Sequence, residues 1–99
     1  MLSEGQVRAD LREIKYYNSR KELFDKFIAD GINSDIVVKM KKYNDAIKSA
    51  HIKLYDIYIG LYIRCHTQES LSHDMQYTMD YVQKLNRKLI AFFQENIKE

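Results

Sequence analysis

Three side chains in this sequence could bind a metal or act as a nucleophile: Cys65, His66 and His73. Zinc sites usually pair their ligands at a spacing of about two to five residues. Here Cys65 and His66 are adjacent, and His73 lies beyond the predicted start of a helix. A cysteine nucleophile would also need a pocket and a group that orients its histidine, and no pattern supplies either. We therefore expect a buried thiol next to an exposed loop histidine, with no metal, cofactor or catalytic residue.

Pairs of carboxylates are the next candidates for chemistry. Asp10–Glu13 and Glu22–Asp25 are spaced as neighbours on a helix, and both pairs lie among lysines and arginines. Charged residues at this spacing usually form a solvated helix face, so we predict exposed faces and no acid–base pair. The lysines of the predicted second helix are interpreted in the same way, with phosphate contact as the alternative: Lys39, Lys41, Lys42 and Lys48.

The most informative segment runs from residue 67 to residue 90. Thr67 and Thr78 have the positions of helix N-caps, which predicts a short helix, a tight turn and a longer helix. In a DNA-binding helix-turn-helix, the first turns of the second helix face base edges, so they must be exposed and mostly polar. The residues predicted to contact bases are Met79, Asp80, Gln83, Lys84 and Arg87, and those predicted to contact phosphate are Thr67, Gln68, Thr78 and Lys88.

The two predicted helices also need small or apolar residues where they touch. Residues of this kind recur at the right spacing: Leu71, Ser72, Met75, Val82 and Leu85. The pattern as a whole is Thr67-Gln68-Glu69-x-Leu71-Ser72, then Tyr77-Thr78, then Val82-x-x-Leu85-x-x-x-Leu89. It resembles the helix-turn-helix of sigma-factor region four, and more closely that of the ArpU-type phage transcriptional regulators.

Two further segments are similar to small phage proteins of that group. They are Leu54-Tyr55-Asp56-x-Tyr58 with Leu61-Tyr62-Ile63, and Ile14-Lys15-Tyr16-Tyr17-x-Ser19-Arg20-Lys21. The resemblance implies a non-enzymatic transcriptional regulator that binds double-stranded DNA with sequence specificity, and it makes RNA polymerase a candidate partner. The alternative, from a different class, is a small helical interaction module that binds and inhibits a host factor.

The sequence departs from the family pattern in the turn and in its charge. Gln76 stands where glycine is usual and would have to adopt a left-handed conformation, and Ser72 replaces the usual alanine. Residues 67–99 contain four basic and five acidic side chains. Non-specific affinity for DNA comes mostly from neutralised phosphates, so this segment alone should bind DNA weakly. The lysines of the second helix or a second copy of the chain are the candidates to supply the missing charge.

The elements that position these residues are predicted to be helices, in one all-α domain over residues 1–99. The chain has no proline and three glycines, too few for the many turns of a β fold. Residues 1–66 are predicted to support the helix-turn-helix of residues 67–96. The predicted helices are Glu4–Asp30 with a break near Asn18-Ser19 and an end at Gly31, Asp35–Ser49 capped by the Asn33-Ser34-Asp35 cluster, Ile52–Cys65, Gln68–Met75 and Met79–Asn96.

Apolar residues at helical spacing predict the core. The third helix is apolar nearly all round and is expected at the centre of the fold, which assigns its tyrosines to the core and not to a platform for single-stranded nucleic acid. The other predicted core positions are Val7, Leu11, Ile14, Tyr17, Phe24, Phe27 and Ile28 in the first helix, Ile36, Val37, Met40, Tyr43 and Ile47 in the second, and Val82, Leu85, Leu89, Phe92 and Phe93 in the last.

Composition also bears on the compartment and on assembly. A single cysteine fits a reducing environment, and the longest apolar run, Ile57–Ile63, is far shorter than a membrane span, so we expect a cytoplasmic protein without membrane contact. A net charge of +2 is typical of an ordinary solvated surface. The first helix has more aromatic residues than a lone surface helix needs, which predicts a homodimer built on the N-terminal helices through Tyr16, Tyr17, Phe24 and Phe27.

Overall fold

The computed structural model describes residues 2–21 and 34–97. These residues form five α-helices and contain no strand, which confirms the all-α prediction. The third helix continues without a break into one π-helical turn, whose backbone hydrogen bonds span five residues instead of four. The helices are α1 (Glu4–Ser19), α2 (Ser34–Ile47), α3 (Ile52–Tyr58), α4 (Gln68–Met75) and α5 (Met79–Asn96), and the π turn is Ile59–Ile63.

The predicted bounds hold best at the carboxyl end of the chain. Helices α4 and α5 begin and end at the predicted residues. Helix α1 ends at Ser19, where the sequence predicts a break, and α2 ends at Ile47, two residues before the predicted Ser49. The remaining predictions for the first helix and its end lie outside the described residues, as do those for Glu22, Phe24, Asp25, Phe27, Ile28, Gly31 and Asn33.

The third helix is not α-helical as far as Cys65, so this prediction is wrong. In the π turn the Arg64 amide donates to the Ile59 carbonyl, five residues back, over 2.8 Å. Beyond the turn, the His66 amide donates to the Gly60 carbonyl, six residues back, over 2.9 Å. Cys65 then takes a left-handed conformation with a φ of 62°, which ends the helix. A π turn inserts one residue into a helix, and the apolar residues here suit either helix type, so composition does not signal it.

Helix α5 is the central element of the core. The ring of Phe93 lies edge-on to Tyr43 of α2 and Tyr58 of α3, with centroid distances of 4.7 Å and 5.5 Å. Helix α1 packs against α5 through a stripe that includes the fully buried Val7 and Ile14. The buried stripe of α5 is Val82, Leu85, Asn86, Leu89, Ile90 and Phe93. It contains four of the five predicted residues, and the fifth, Phe92, is half-buried.

Two residues predicted to lie in the core are exposed, and Ile36 and Met40 of α2 are half-buried. Val37 of α2 is 40% exposed, although Tyr43 and Ile47 of the same helix are buried as predicted. The third helix is central through Tyr58, but its other side is open to solvent and Tyr55 is 38% exposed. Within the described ranges, no helix combines the length and the apolar character needed to cross a membrane.

The carboxylate of Asp10 lies in the protein interior, so its assignment to a solvated face is wrong. Asp10 is 5% exposed. Its oxygens accept hydrogen bonds from the Tyr43 hydroxyl over 2.6 Å and from the Gln6 amide over 2.9 Å. The Lys39 ammonium nitrogen forms an ion pair with an oxygen of the same carboxylate at 3.2 Å. A buried carboxylate is tolerated when its oxygens are hydrogen-bonded and its charge is paired, as they are here.

Lys39 consequently differs from the other lysines of α2. Its ammonium group also lies 2.8 Å from Glu13, which is exposed as predicted. The hydrogen bond to Glu13, followed by the interaction with Asp10, raises the pKa of Lys39 against the opposing effect of burial. The prediction of a purely solvated lysine is therefore wrong for Lys39, whereas Lys41, Lys42 and Lys48 are exposed as expected.

We expect Tyr43→Phe to lower the free energy of unfolding by about 1–3 kcal/mol, because the buried carboxylate of Asp10 loses a hydrogen-bond donor. Tyr55→Phe, which removes the same hydroxyl from an exposed residue, is the matched control and should change stability by less than about 0.5 kcal/mol. Urea denaturation of both variants measures the difference. Equal stabilities would contradict the role of the Tyr43–Asp10 bond.

Alkaline pH should unfold the protein through its buried tyrosines. Burial raises the pKa of Tyr43, Tyr58 and Tyr62 above their ordinary value of 10.0, and Asp10 adds to this for Tyr43. The folded protein keeps protons that the unfolded chain releases, so stability falls as pH rises above about 10. In an ultraviolet titration, these three of the eight tyrosines should ionise together with the loss of helix. Ionisation of all eight near pH 10 with unchanged helix content would contradict this.

Candidate nucleic-acid interface

Helices α4 and α5 begin at the two predicted caps. The Thr67 hydroxyl oxygen accepts a hydrogen bond from the Ser70 amide over 3.0 Å, and that of Thr78 accepts from the Tyr81 amide over 3.1 Å. Each bond satisfies one of the backbone donors left unpaired in the first turn of a helix. Both threonines are exposed, and each hydroxyl keeps a proton that can still be donated to a ligand. The sequence therefore identifies both helix starts correctly.

The connection between α4 and α5 is a three-residue turn that starts at Gln76. Gln76 adopts the left-handed conformation expected from the sequence, with φ 57° and ψ 38°. The Tyr77 amide donates to the Ser72 carbonyl over 2.9 Å, and the Gln76 amide donates to the His73 carbonyl over 3.3 Å. This pair of bonds is the Schellman motif, which closes a helix and redirects the chain. The turn thus forms without the glycine that usually stands at its left-handed position.

Small and apolar side chains lie where α4 meets the rest of the structure, as predicted. Leu71 and Ser72 are 4% and 5% exposed, and Val82 and Leu85 of α5 are 0% and 4% exposed. The Ser72 hydroxyl donates to the Glu69 carbonyl over 2.7 Å, so this buried polar group is satisfied within its own helix. Serine can therefore occupy the position at which an alanine is usual.

The five residues predicted to contact bases are all exposed. Four of them follow the spacing i, i+3, i+4 and i+7, which places them on one face of α5. That face lies away from the stripe that α5 buries in the core. The exposed residues are Met79, Asp80, Gln83, Lys84 and Arg87, and the predicted phosphate contact Lys88 is exposed beside them. Gln68, another predicted phosphate contact, is half-buried at the start of α4.

A basic and aromatic cluster at the start of α5 is absent from the sequence prediction. The Lys53 ammonium donates to the Tyr81 hydroxyl over 3.1 Å and lies 5.7 Å from the centre of its ring. Tyr81 in turn contacts Tyr77 edge-on, with a centroid distance of 4.8 Å. The Tyr81 hydrogen bond raises the pKa of Lys53. Lys53 belongs to α3 and is 28 residues from Tyr81, so no local spacing could have indicated the contact.

Acidic side chains reduce the positive charge of this surface. Glu69 and Asp80 lie in the first turns of α4 and α5, where carboxylates stabilise the positive end of the helix dipole. The same charges repel phosphate, and they oppose Lys84, Arg87 and Lys88 on α5. The face can therefore donate hydrogen bonds to an anionic partner, but its net field is weak.

The Cys65 thiol and the His66 ring each have a polar partner within the structure. The Cys65 thiol is half-buried and donates to the Lys15 carbonyl over 3.3 Å, and burial raises its pKa, which favours the protonated thiol. His66 is half-buried, not exposed as predicted, and its ring lies 3.1 Å from the Ser70 hydroxyl and 3.7 Å from Asp74. Across residues 2–21 and 34–97, no three histidine, cysteine or carboxylate side chains are grouped to hold a metal ion.

Comparisons with known proteins return no relative of this chain. No protein-family model matches it, and neither a curated protein nor a solved structure does. The resemblance to sigma-factor region four and to ArpU-type regulators stays a prediction.

The left-handed conformation of Gln76 should affect the stability of the protein. Gln76→Gly should raise the free energy of unfolding by about 0.5–1 kcal/mol, because glycine adopts a positive φ without the steric penalty of a Cβ atom. Gln83→Gly, at an exposed position inside α5, is the matched control and should lower it by about 1 kcal/mol. Urea denaturation of both variants tests this, and destabilisation by Gln76→Gly would show that the turn is not strained.

Proposed function

We propose that the chain is a sequence-specific, double-stranded DNA-binding transcriptional regulator in which α4, the turn and α5 act as a helix-turn-helix. The observation that carries this proposal is the division of α5 into two faces. One face is buried against the other helices through Val82, Leu89 and Phe93, and the polar residues of the first turns are exposed on the other. A helix anchored in this way can enter the major groove with its amino-terminal residues leading.

The exposed side chains have the hydrogen-bonding groups that base recognition requires. Arg87 and Lys84 are donors, which suit the O6 and N7 acceptors of guanine, and Gln83 can pair with both groups of an adenine edge. Asp80 can only accept, as from the amino group of cytosine, and Met79 offers an apolar contact such as a thymine methyl group. Together these groups can distinguish base pairs over one major-groove segment.

Contacts with the sugar-phosphate backbone would hold the helix in register. Thr67 and Thr78 each have a hydroxyl proton to donate. Gln68, next to Thr67, and Lys88, farther along α5, are the other proposed donors to phosphate. Lys53 adds a cation from α3 at the start of α5, which sequence reasoning did not include. Among the lysines of α2, Lys39 is engaged with Asp10 and Glu13, so any contribution from α2 falls to the exposed lysines.

We also propose a protein partner and a cellular location for the chain. RNA polymerase is a candidate because of the resemblance to a sigma factor, and a cytoplasmic location suits a protein with a reduced thiol. A homodimer through the N-terminal helices would have to do without Tyr17, since that side chain is 6% exposed within the single chain. Of the other residues predicted for that dimer, Tyr16 is 54% exposed, and Phe24 and Phe27 lie outside the described residues.

A selection experiment with random double-stranded DNA tests the proposal. The wild-type protein should enrich a sequence motif, and its affinity should fall as the salt concentration rises. At one position of the motif, Gln83→Ala should reduce the difference in binding free energy between the preferred base and the others by about 1–3 kcal/mol, because a direct base contact is lost. Lys88→Ala should weaken binding to all sequences alike. The slope of log affinity against log salt concentration should become shallower by the equivalent of about one phosphate contact.

Arg12→Ala is the matched control for Lys88→Ala. It removes one positive charge from an exposed position on α1, which has no assigned DNA contact, and should leave both the motif and the salt slope unchanged. No binding at low salt by the folded protein would contradict the proposal and leave a protein partner as the function. If the double variant Gln83→Ala, Arg87→Ala selects the same motif as the wild-type protein, α5 does not lie in the DNA interface.

A further inference from the structure

A groove of about 370 Å³ runs between the third helix and α4, on a surface that contains none of the predicted DNA-contacting residues. Its apolar lining comes from both sides: Tyr55 and Ile59 on the third helix, and Leu71 and Met75 on α4. Tyr55 is one of the few large side chains that stay exposed in the described part of the chain. The groove thus offers apolar surface that the single chain does not cover completely.

Gly60 lets α4 approach closely at this groove. A Cβ atom at Gly60 would lie 2.5 Å from Leu71 Cδ1 and 3.0 Å from Leu71 Cδ2, so any side chain there would displace Leu71. Gly60 and Leu71 both line the groove and are both buried. The groove is therefore a shaped feature of the packing between the π turn and α4.

Two opposite charges flank the glycine along the third helix. Asp56 precedes Gly60 by four residues and Arg64 follows it by four, and both are exposed and line the groove. Among the residues that the structure describes, neither side chain forms an ion pair. The other two charged residues of the lining, His66 and Asp74, are 3.7 Å apart and can pair with each other. Asp56 and Arg64 are thus the charges available to a partner.

The π turn places these two charges on the same side of the helix. In a regular α-helix, residues eight apart differ by about 80° around the axis, because each residue turns about 100°. The π turn contains one extra residue, so Asp56 and Arg64 are related as residues seven apart, which brings them to within about 20°. They lie roughly 10–11 Å apart along the axis, one on each side of Gly60.

We propose that this groove binds a second copy of the chain in an antiparallel arrangement about a twofold axis near Gly60. In this arrangement Asp56 of each copy faces Arg64 of the other, so two equal ion pairs flank an apolar centre. A twofold interface requires a surface that is complementary to itself, and an acid and a base placed symmetrically about a glycine meet that requirement. Tyr55 of each copy adds apolar contact beside the pairs.

The proposal is independent of the proposed DNA binding. None of the residues that line the groove is predicted to contact DNA, so variants at Asp56 and Arg64 leave that surface intact. The interface also differs from the one predicted on the N-terminal helices.

Charge reversal tests the arrangement by sedimentation equilibrium at tens of micromolar. The wild-type chain should be a dimer of 11.8-kDa subunits. Asp56→Arg places two arginines opposite each other at both contacts, and Arg64→Asp places two aspartates there. Each variant should raise the dissociation constant of the dimer about 10- to 100-fold, since attraction becomes repulsion at two exposed pairs.

Mixing the two variants is the decisive step. In a heterodimer of Asp56→Arg with Arg64→Asp, both contacts join opposite charges again, so the equimolar mixture should dimerise. The double variant should dimerise by itself for the same reason. Lys41→Asp, a reversal at an exposed position on α2, is the control and should leave the wild-type dimer unchanged. Circular dichroism of each variant verifies that its fold is intact.

Three results would overturn the proposal. The first is a wild-type protein that is monomeric at the tens of micromolar used in the test. The second is a wild-type dimer that neither single reversal weakens, which would place the interface elsewhere. The third is a mixture of the two weakened variants that stays monomeric, which would exclude the antiparallel pairing of Asp56 with Arg64.

Discussion

The packing of one stripe of α5 is the interaction on which the rest of the structure depends. Helices α1, α2, α3 and α4 all contact α5, and Phe93 alone brings together aromatic rings from α2 and α3. An aromatic residue buries more apolar surface than any other side chain, so these contacts dominate the stability of a small domain. The same burial leaves the opposite face of α5 exposed. The core and the candidate site are therefore two consequences of one amphipathic helix.

Hydrogen bonds between helices select the arrangement in which this stripe is packed. The Tyr43 hydroxyl joins α2 to Asp10 of α1, and the hydroxyls of Tyr58 and Tyr62 bond to Asn44 of α2 and Asn86 of α5, each over 2.6 Å. No buried side-chain polar atom in the described residues is left without a partner. A shifted helix would break such bonds at about 1–3 kcal/mol for each orphaned group, whereas apolar contacts alone tolerate sliding. The tyrosines thus contribute both apolar area and specificity.

Local signals explain which features the sequence predicts well. The starts of α4 and α5 depend on Thr67 and Thr78, whose hydroxyls bond to amides three residues away, so the sequence contains all the information needed. The two faces of α5 follow from spacing in the same way. The left-handed conformation of Gln76 is implied by the resemblance to sigma-factor region four, in which glycine is usual at this position. The burial of Asp10 could not be predicted, because its partners Tyr43 and Lys39 are 33 and 29 residues away and its helical spacing is that of a surface carboxylate. The Lys53–Tyr81 contact and the π turn likewise depend on packing between distant segments.

Helix α4 connects the two proposed interfaces. On one side Leu71 lies against Gly60 and lines the groove, and on the other side α4 packs against α5 and leads into the turn at Gln76. With only eight residues, α4 is too short to be stable without these contacts. The groove and the turn therefore both depend on the position of this short helix, although none of the residues that line the groove is predicted to contact DNA.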